Sequence, residues 1–287
     1  MNGLGTPREN DDDVSGLDLA PAMKWYGQNE EILTEMLAKT RMCGGNMPVI
    51  ENGQHLQMQR LLGEMLIMSF PREAQERAIP GTIKVCPSKW FNKDSTSKDP
   101  KATDNIDEAI SPTAIIPSYV DYSSETGKPW VSNIELYKIP DSVNPAVAQI
   151  VQAQGLVHEY AHTVADAFLY GHRNLLFKDE REFNSVGFID EFIRLTETIS
   201  PMSSYSGSYR NRDWKYPEVI EGDKDSRKAF FMALREELAE CIAAHILGFV
   251  YTEDEDRRMD PFKGREELKA FIDEFLNAKL KDSSVDA

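Results

Sequence analysis

One long helical segment constrains the fold of this chain more than any other feature. Asn144 is a suitable N-cap residue and Pro145 suits the first turn, so the sequence predicts a helix that begins there and ends near Gly171. Its apolar residues recur at helical spacing, which indicates that much of the helix is buried. Within it, His158 and His162 lie one turn apart on the same face. Any fold of this chain must therefore accommodate two neighbouring imidazoles on a largely buried helix.

Two imidazoles at this spacing can bind a single zinc ion. Glu159 lies about 100° further around the helix, where its carboxylate can take a proton from zinc-bound water without occupying a ligand position. Catalytic zinc needs a third protein ligand and one open position. A third histidine six residues after His162 is excluded, because Phe168 stands there. The sequence therefore predicts one zinc ion per chain, with a third ligand further along the chain.

Three glutamates on a later segment are candidates for this third ligand. Glu236, Glu237 and Glu240 all lie on a helix predicted to run from about Asp225 to Phe249. Glu236 and Glu240 share a face, so one can bind zinc while the other orients a histidine. Glu237 has no acid at that offset. The residues alone leave open which of these glutamates is the ligand.

The remaining segments predict a mixed architecture of helices and strands. Residues 1–16 are polar and are expected to form a disordered tail. Further helices are expected at 17–42, 54–69, 186–199 and 264–281, strands at 81–86, 114–122 and 130–139, and a loop at 200–216. Prolines in and beside the last two strands favour an edge position for strand 130–139. We therefore expect one catalytic domain at 17–287, with a helical part at 17–80 and an α+β core at 81–287.

The charge and the cysteine content of the chain indicate which binding partners and which cellular compartment to expect. The formal net charge is −16, which argues against nucleic acids and anionic membranes as partners, because these attract clustered Lys and Arg. Cys43, Cys86 and Cys241 are widely spaced, which suits a reducing compartment. The N-terminal segment has no apolar stretch of the Sec type. We expect a monomer that is cytoplasmic or is exported by a Sec-independent route.

The motif HEYAH at 158–162, followed by EELAE at 236–240, resembles the gluzincin pattern and is most similar to the catalytic domains of lethal-factor-like metallopeptidases. The resemblance implies an α+β zincin-like fold, with a small sheet and an active-site helix that carries HEYAH. It implies His158, His162 and Glu236 as zinc ligands and Glu159 as the general base. Glu240 would then be the acid that orients a ligating histidine.

The resemblance also implies a tyrosine, in an S-x-Y sequence between the two motifs, whose hydroxyl stabilises the oxyanion. The sequence SSYS at 203–206 matches best and gives Tyr205. Tyr209 and Tyr216 are alternatives, because a longer stretch separates this segment from the second motif than in the family.

The expected activity is zinc-dependent hydrolysis of peptide bonds in a protein or peptide substrate. The resemblance favours an exported toxin or effector acting in a host cytosol. Two alternatives are a zinc hydrolase of a non-peptide substrate and a binding protein that keeps the fold without catalysis.

Overall fold

The computed structural model describes residues 20–39, 49–51, 70–72, 74, 80–86, 90–91, 114–115, 118–123, 131–137, 144–171, 187–213 and 224–277. The tail expected at 1–16 and the helix expected at 54–69 lie outside these residues. Within them, no helix combines the length and the apolar character that a membrane crossing requires.

Two short helices stand where the sequence predicted one. Helix α1 spans Ala20–Gln28 and α2 spans Glu30–Lys39. Asn29 separates them, and its side-chain amide donates a 2.8 Å hydrogen bond to the carbonyl of Trp25. Asparagine competes in this way with regular helical hydrogen bonding, which is why it favours turns and helix ends. The prediction of a single helix was wrong at this residue.

Short strands follow along the chain and pair in two groups. They are β1 (Val49–Glu51), β2 (Pro80–Cys86), β3 (Trp90–Phe91), β4 (Ala114–Ile115), β5 (Ser118–Ser123) and β6 (Val131–Tyr137). Four of them are hydrogen-bonded in the order β1-β2-β6-β5, while β3 pairs with β4. The β1–β2 and β2–β6 pairs are parallel, and the β5–β6 pair is antiparallel.

Strand β6 is internal, because β2 pairs with one side of it and β5 with the other. Its residue Ile134 is aligned with Ile83 on β2 and with Val120 on β5. The sequence predicted an edge strand here, and that prediction was wrong. A proline that borders a strand determines where the backbone pairing of that strand ends. It does not determine how many neighbouring strands pair with it.

Helix α3 (Pro145–Gly171) begins and ends where the sequence predicted. The side chain of Asn144 accepts a 2.9 Å hydrogen bond from the backbone N–H of Ala146, so it acts as the N-cap. From Ala153 onward the helix is almost wholly buried through Ala165. This explains why its apolar residues occupy so wide a face.

Helices α4 (Gly187–Thr196) and α5 (Ser204–Asp213) follow, and α5 lies where a loop was predicted. Ser203 starts α5: its hydroxyl accepts a 3.0 Å hydrogen bond from the N–H of Ser206, while the N–H of Ser203 donates to the Ser206 hydroxyl at 3.3 Å. This reciprocal arrangement resembles a capping box with serine in place of the usual glutamate. The many serines suggested a loop, although two of them start a helix.

Helix α6 (Lys224–Leu247) is the central element of the C-terminal part, and α7 (Glu266–Asn277) packs against both α6 and α4. The residues from Ala233 to Ala244 are all buried. Gly248, with φ of 75°, ends α6 in the left-handed conformation that glycine adopts without a steric penalty. These helices agree with the predicted segments to within a few residues, and the last residues predicted for α7, 278–281, lie outside the described part of the chain.

The expected α+β zincin-like fold, with a small sheet in its core, is contradicted. The part of the chain whose side chains the structure places is 77% helical and contains no strand. Its buried apolar residues come from the helices and the turns between them. The strand-like sequence patterns correctly indicated local backbone pairing, but among the residues whose side chains are described the core around the two histidines is formed by helices packing on one another.

A buried ion pair fixes α5 against α6. Glu237 is completely buried, and its carboxylate accepts a 2.8 Å hydrogen bond from Arg210 and a 3.0 Å hydrogen bond from the N–H of Met202. Arg210 also donates to the backbone carbonyls of Thr196 and Ile199. Because charges are costly to remove from water, loss of either partner leaves an uncompensated buried ion.

We therefore expect Glu237→Gln to lower the free energy of unfolding by about 3–5 kcal/mol, because Arg210 would stay buried and charged without its carboxylate. Urea-induced unfolding of the purified proteins measures this change. Glu191→Gln is the matched control, since Glu191 forms an exposed pair with Arg194 at 2.7 Å, and its effect should be much smaller. Equal losses in the two variants would contradict the structural role of the buried pair.

Candidate metal centre

The predicted metal-binding residues come together where α3 packs against α6. Both helices carry small buried residues that permit close packing: Ala161 and Ala165 on α3, Ala239 and Ala243 on α6. The site is therefore made by residues far apart in sequence, and it depends on the contact between these two helices.

The spacing of three buried atoms is the main geometric feature of the site. His158 Nε2 lies 3.2 Å and His162 Nε2 lies 3.4 Å from one oxygen of Glu236, Oε2. The two imidazole rings are nearly perpendicular, with their centroids 4.7 Å apart. Ligands arranged tetrahedrally at about 2.0–2.1 Å from zinc are separated from one another by about 3.3 Å. Both nitrogen-to-oxygen distances thus match the separation of two ligands on one small cation.

Hydrogen bonding supports the same interpretation. Glu236 Oε2 is buried and has no hydrogen-bond partner among the residues that the structure describes, although both ring nitrogens are close to it. Those nitrogens therefore lie near the oxygen without directing hydrogen bonds at it. A buried carboxylate oxygen in this state is costly, and a cation among the three atoms would satisfy it. Two nitrogen donors and one carboxylate are a donor set that suits zinc.

The pKa values of His158 and Glu236 are shifted by their mutual contact. Burial alone lowers the pKa of His158, but the carboxylates of Glu236 and Glu240 outweigh that effect and raise this pKa well above its ordinary value. Burial acts to raise the pKa of Glu236, yet the two imidazoles lower it below its usual range. A proton and a metal ion therefore compete for His158, because a ligating imidazole nitrogen must be deprotonated.

Glu240 lies behind His158, on the side of the ring opposite Glu236. Its Oε1 is 2.7 Å from His158 Nδ1, a hydrogen-bond distance, although the angle is not that of a directed bond. Carboxylates in this position orient ligating histidines and increase their basicity. Glu240 has the placement that the shared helical face predicted for it.

The side chain of Glu159 is a second carboxylate beside the two histidines. His158, Glu159 and His162 are buried, and one potential ligand atom from each lies within 4.8 Å of the others. Two acids therefore flank the histidine pair. Glu236 contacts both ring nitrogens at ligand spacing, whereas Glu159 extends from the histidine helix itself.

Helix α5 brings a tyrosine to the site. The ring of Tyr205 packs edge-to-face against His158, with centroids 5.6 Å apart, and its hydroxyl is 3.3 Å from that of Tyr209. Burial and the nearby Glu236 raise the pKa of Tyr205 well above its ordinary value, so its hydroxyl stays protonated and can donate. Of the alternatives, Tyr209 contacts Tyr205 rather than replacing it, and Tyr216 lies outside the described residues.

Tyr26 on α1 is a site neighbour that the sequence analysis missed. Its hydroxyl hydrogen-bonds to the side-chain carbonyl of Gln154 on α3. Burial and then the charge of Glu240 raise the pKa of Tyr26, so it lies within electrostatic range of that carboxylate. The sequence contains no signal for this contact, because the pattern around Tyr26 is that of an ordinary apolar position on an N-terminal helix.

Comparison with known proteins does not assign the chain to a family. No protein-family model matches it, and no curated protein and no solved structure matches it either.

Proposed function

We propose that this protein is a zinc-dependent peptidase in which His158, His162 and Glu236 hold one zinc ion. The observation that carries this proposal is the approach of both Nε2 atoms, at 3.2 Å and 3.4 Å, to one carboxylate oxygen that has no hydrogen-bond partner among the described residues. The helical spacing of the histidines and the supporting acid Glu240 add to it. A bound zinc ion would supply Lewis acidity and lower the pKa of a water molecule to about 7.

The chain's own residues would carry the proton transfers. Glu159 would take a proton from the attacking water and deliver it to the leaving nitrogen, as a general base and then a general acid. Tyr205, kept protonated by burial and the charge of Glu236, would donate a hydrogen bond to the developing oxyanion. Glu240 would hold the His158 ring in place.

Peptides are the proposed substrate class because the order of the two motifs resembles that of lethal-factor-like metallopeptidases. The side chains of Glu159 and Tyr205 are consistent with this choice, since a carboxylate base and a hydroxyl donor suit attack of water on a carbonyl.

We expect the zinc-loaded protein to cleave members of a mixed peptide library, with new termini detected by mass spectrometry. Removing the metal with 1,10-phenanthroline should end cleavage, and added zinc should restore it, because the water is activated only by the ion. Ester and N-acetyl-lysine substrates, tested in parallel, separate peptidase activity from other hydrolysis. Cleavage that survives metal removal would contradict the mechanism, and turnover of the non-peptide substrates alone would contradict the substrate class.

A further inference from the structure

Two buried arginines donate hydrogen bonds to the hydroxyl of one exposed serine, in the segment between α4 and α5. Arg265 Nη2 donates to Ser200 Oγ at 2.7 Å, and Arg257 Nη2 donates to the same oxygen at 3.2 Å. Both arginines are buried, whereas Ser200 is exposed. Ser200 therefore lies at the surface, while the two cations that contact its hydroxyl are buried beneath it.

The positive charge of this cluster is not balanced within the described residues. Arg257 pairs with Asp254 at 2.8 Å. Arg265 has no carboxylate at ion-pair distance in the part of the chain that the structure describes, and its buried Nη1 has no hydrogen-bond partner there. Burial, followed by repulsion from Arg257, lowers the pKa of Arg265. A neutral hydroxyl does not compensate a buried cation, so Arg265 lacks a directly paired anion among the described residues.

We propose that Ser200 is a phosphorylation site and that Arg257 and Arg265 hold its phosphate. A serine/threonine kinase would transfer the terminal phosphoryl group of a nucleoside triphosphate. Ser200 Oγ would form a bond to phosphorus, the bond to the leaving nucleoside diphosphate would break, and the hydroxyl proton would pass to a base of the kinase. This proposal is independent of the metal centre.

The chemistry of the phosphate matches what the cluster lacks. It adds about −1.5 to −2 charges and three acceptor oxygens at the atom that both guanidinium groups already contact. One oxygen could accept from the unpartnered Nη1 of Arg265, and the planar guanidinium group suits paired hydrogen bonds to phosphate.

The surrounding contacts determine what the modification would do. Arg257 also donates to the carbonyl of Pro201 at 3.3 Å, and the N–H of Met202 donates to Glu237. A phosphate on Ser200 would add hydrogen bonds at the start of the connection between α4 and α5. The end of this connection is already held by the hydrogen bond from Met202 to Glu237. The consequence is a more stable connection into α5.

Genetically encoded phosphoserine at position 200, in the full chain, tests the proposal directly. The modified protein should melt about 4 °C above the unmodified one, since new charge-assisted hydrogen bonds form. In the Arg265→Gln background this phosphate-dependent rise should largely disappear, and in Arg265→Lys, which keeps the charge but loses the planar fork, it should be partial. Arg194→Gln is the matched control, because Arg194 is an exposed arginine that pairs with Glu191 and Glu267, and it should keep the full rise.

Two further measurements separate the alternatives. Millimolar inorganic phosphate should leave the melting temperature of the unmodified protein unchanged, and a rise equal to that of phosphoserine would replace this proposal with a free-anion site. A kinase that accepts serine followed by proline should modify Ser200 in the folded protein, as mapped by mass spectrometry. No rise with phosphoserine, an equal rise in Arg265→Gln, or no modification of Ser200 would each overturn the proposal.

Discussion

The Glu159→Gln protein should bind one zinc ion and fold like the parent, yet hydrolyse its substrate about 10²–10⁴-fold more slowly. The amide has almost the same shape as the carboxylate but cannot take the proton of the attacking water. Glu236, which approaches both imidazoles at 3.2 Å and 3.4 Å, is the proposed carboxylate ligand and is unchanged in this variant, so the metal should be retained. Library peptides cleaved by the parent protein provide the assay.

Glu197→Gln provides the control for this experiment, because Glu197 is an exposed residue just beyond α4 and the substitution is chemically the same. It should keep full activity. If Glu159→Gln turned over substrate at the parent rate while carrying zinc, the general-base role would have to be abandoned. If it lost both zinc and activity, Glu159 would instead be a ligand.

The His158→Ala protein should lose its zinc, with a fall in affinity of more than about 100-fold, because even an outer-shell partner of a ligand contributes about 10–100-fold. Metal analysis after dialysis, together with competition against a zinc indicator, measures stoichiometry and affinity. Glu240→Gln should show the smaller, outer-shell loss while still binding one ion, since Glu240 contacts only the distal nitrogen of His158.

His245→Ala is the matched control for the metal experiment. His245 lies on α6, like Glu236, but its ring approaches Asp273 at 3.6 Å and packs on Phe262. Zinc content should therefore be unchanged in this variant. Unchanged zinc in His158→Ala as well would remove the proposed ligand set.

Local features of the site could be predicted because they depend on spacing along one helix. The positions of His158 and His162 follow from helical periodicity, and the start of α3 follows from the capping side chain of Asn144. The shared face of Glu236 and Glu240 was also readable from their four-residue separation. In the structure the first of them contacts both histidines, and the second lies behind His158.

Features that depend on distant partners could not be predicted. The sequence left Glu237 among the candidate ligands, and only its buried pairing with Arg210 shows that it is already engaged elsewhere. Arg210 itself lay in a predicted loop, because the serine-rich composition of 200–216 concealed the cap at Ser203. Likewise, the strand patterns could not reveal that β6 has two neighbours or that helices build the core around the histidines.

Adjacent positions on α6 connect two different parts of the protein. Glu236 faces the histidines, while Glu237 holds Arg210 near the end of α5, the helix that carries Tyr205. A movement of the whole of α5 that removes Tyr205 from His158 would break this ion pair, which lies one residue away from a proposed metal ligand. Metal occupancy and the closed position of α5 would then be thermodynamically linked, so each would favour the other. A substrate that moves α5 would lower the affinity of the site for the metal ion, and a bound ion would oppose that movement.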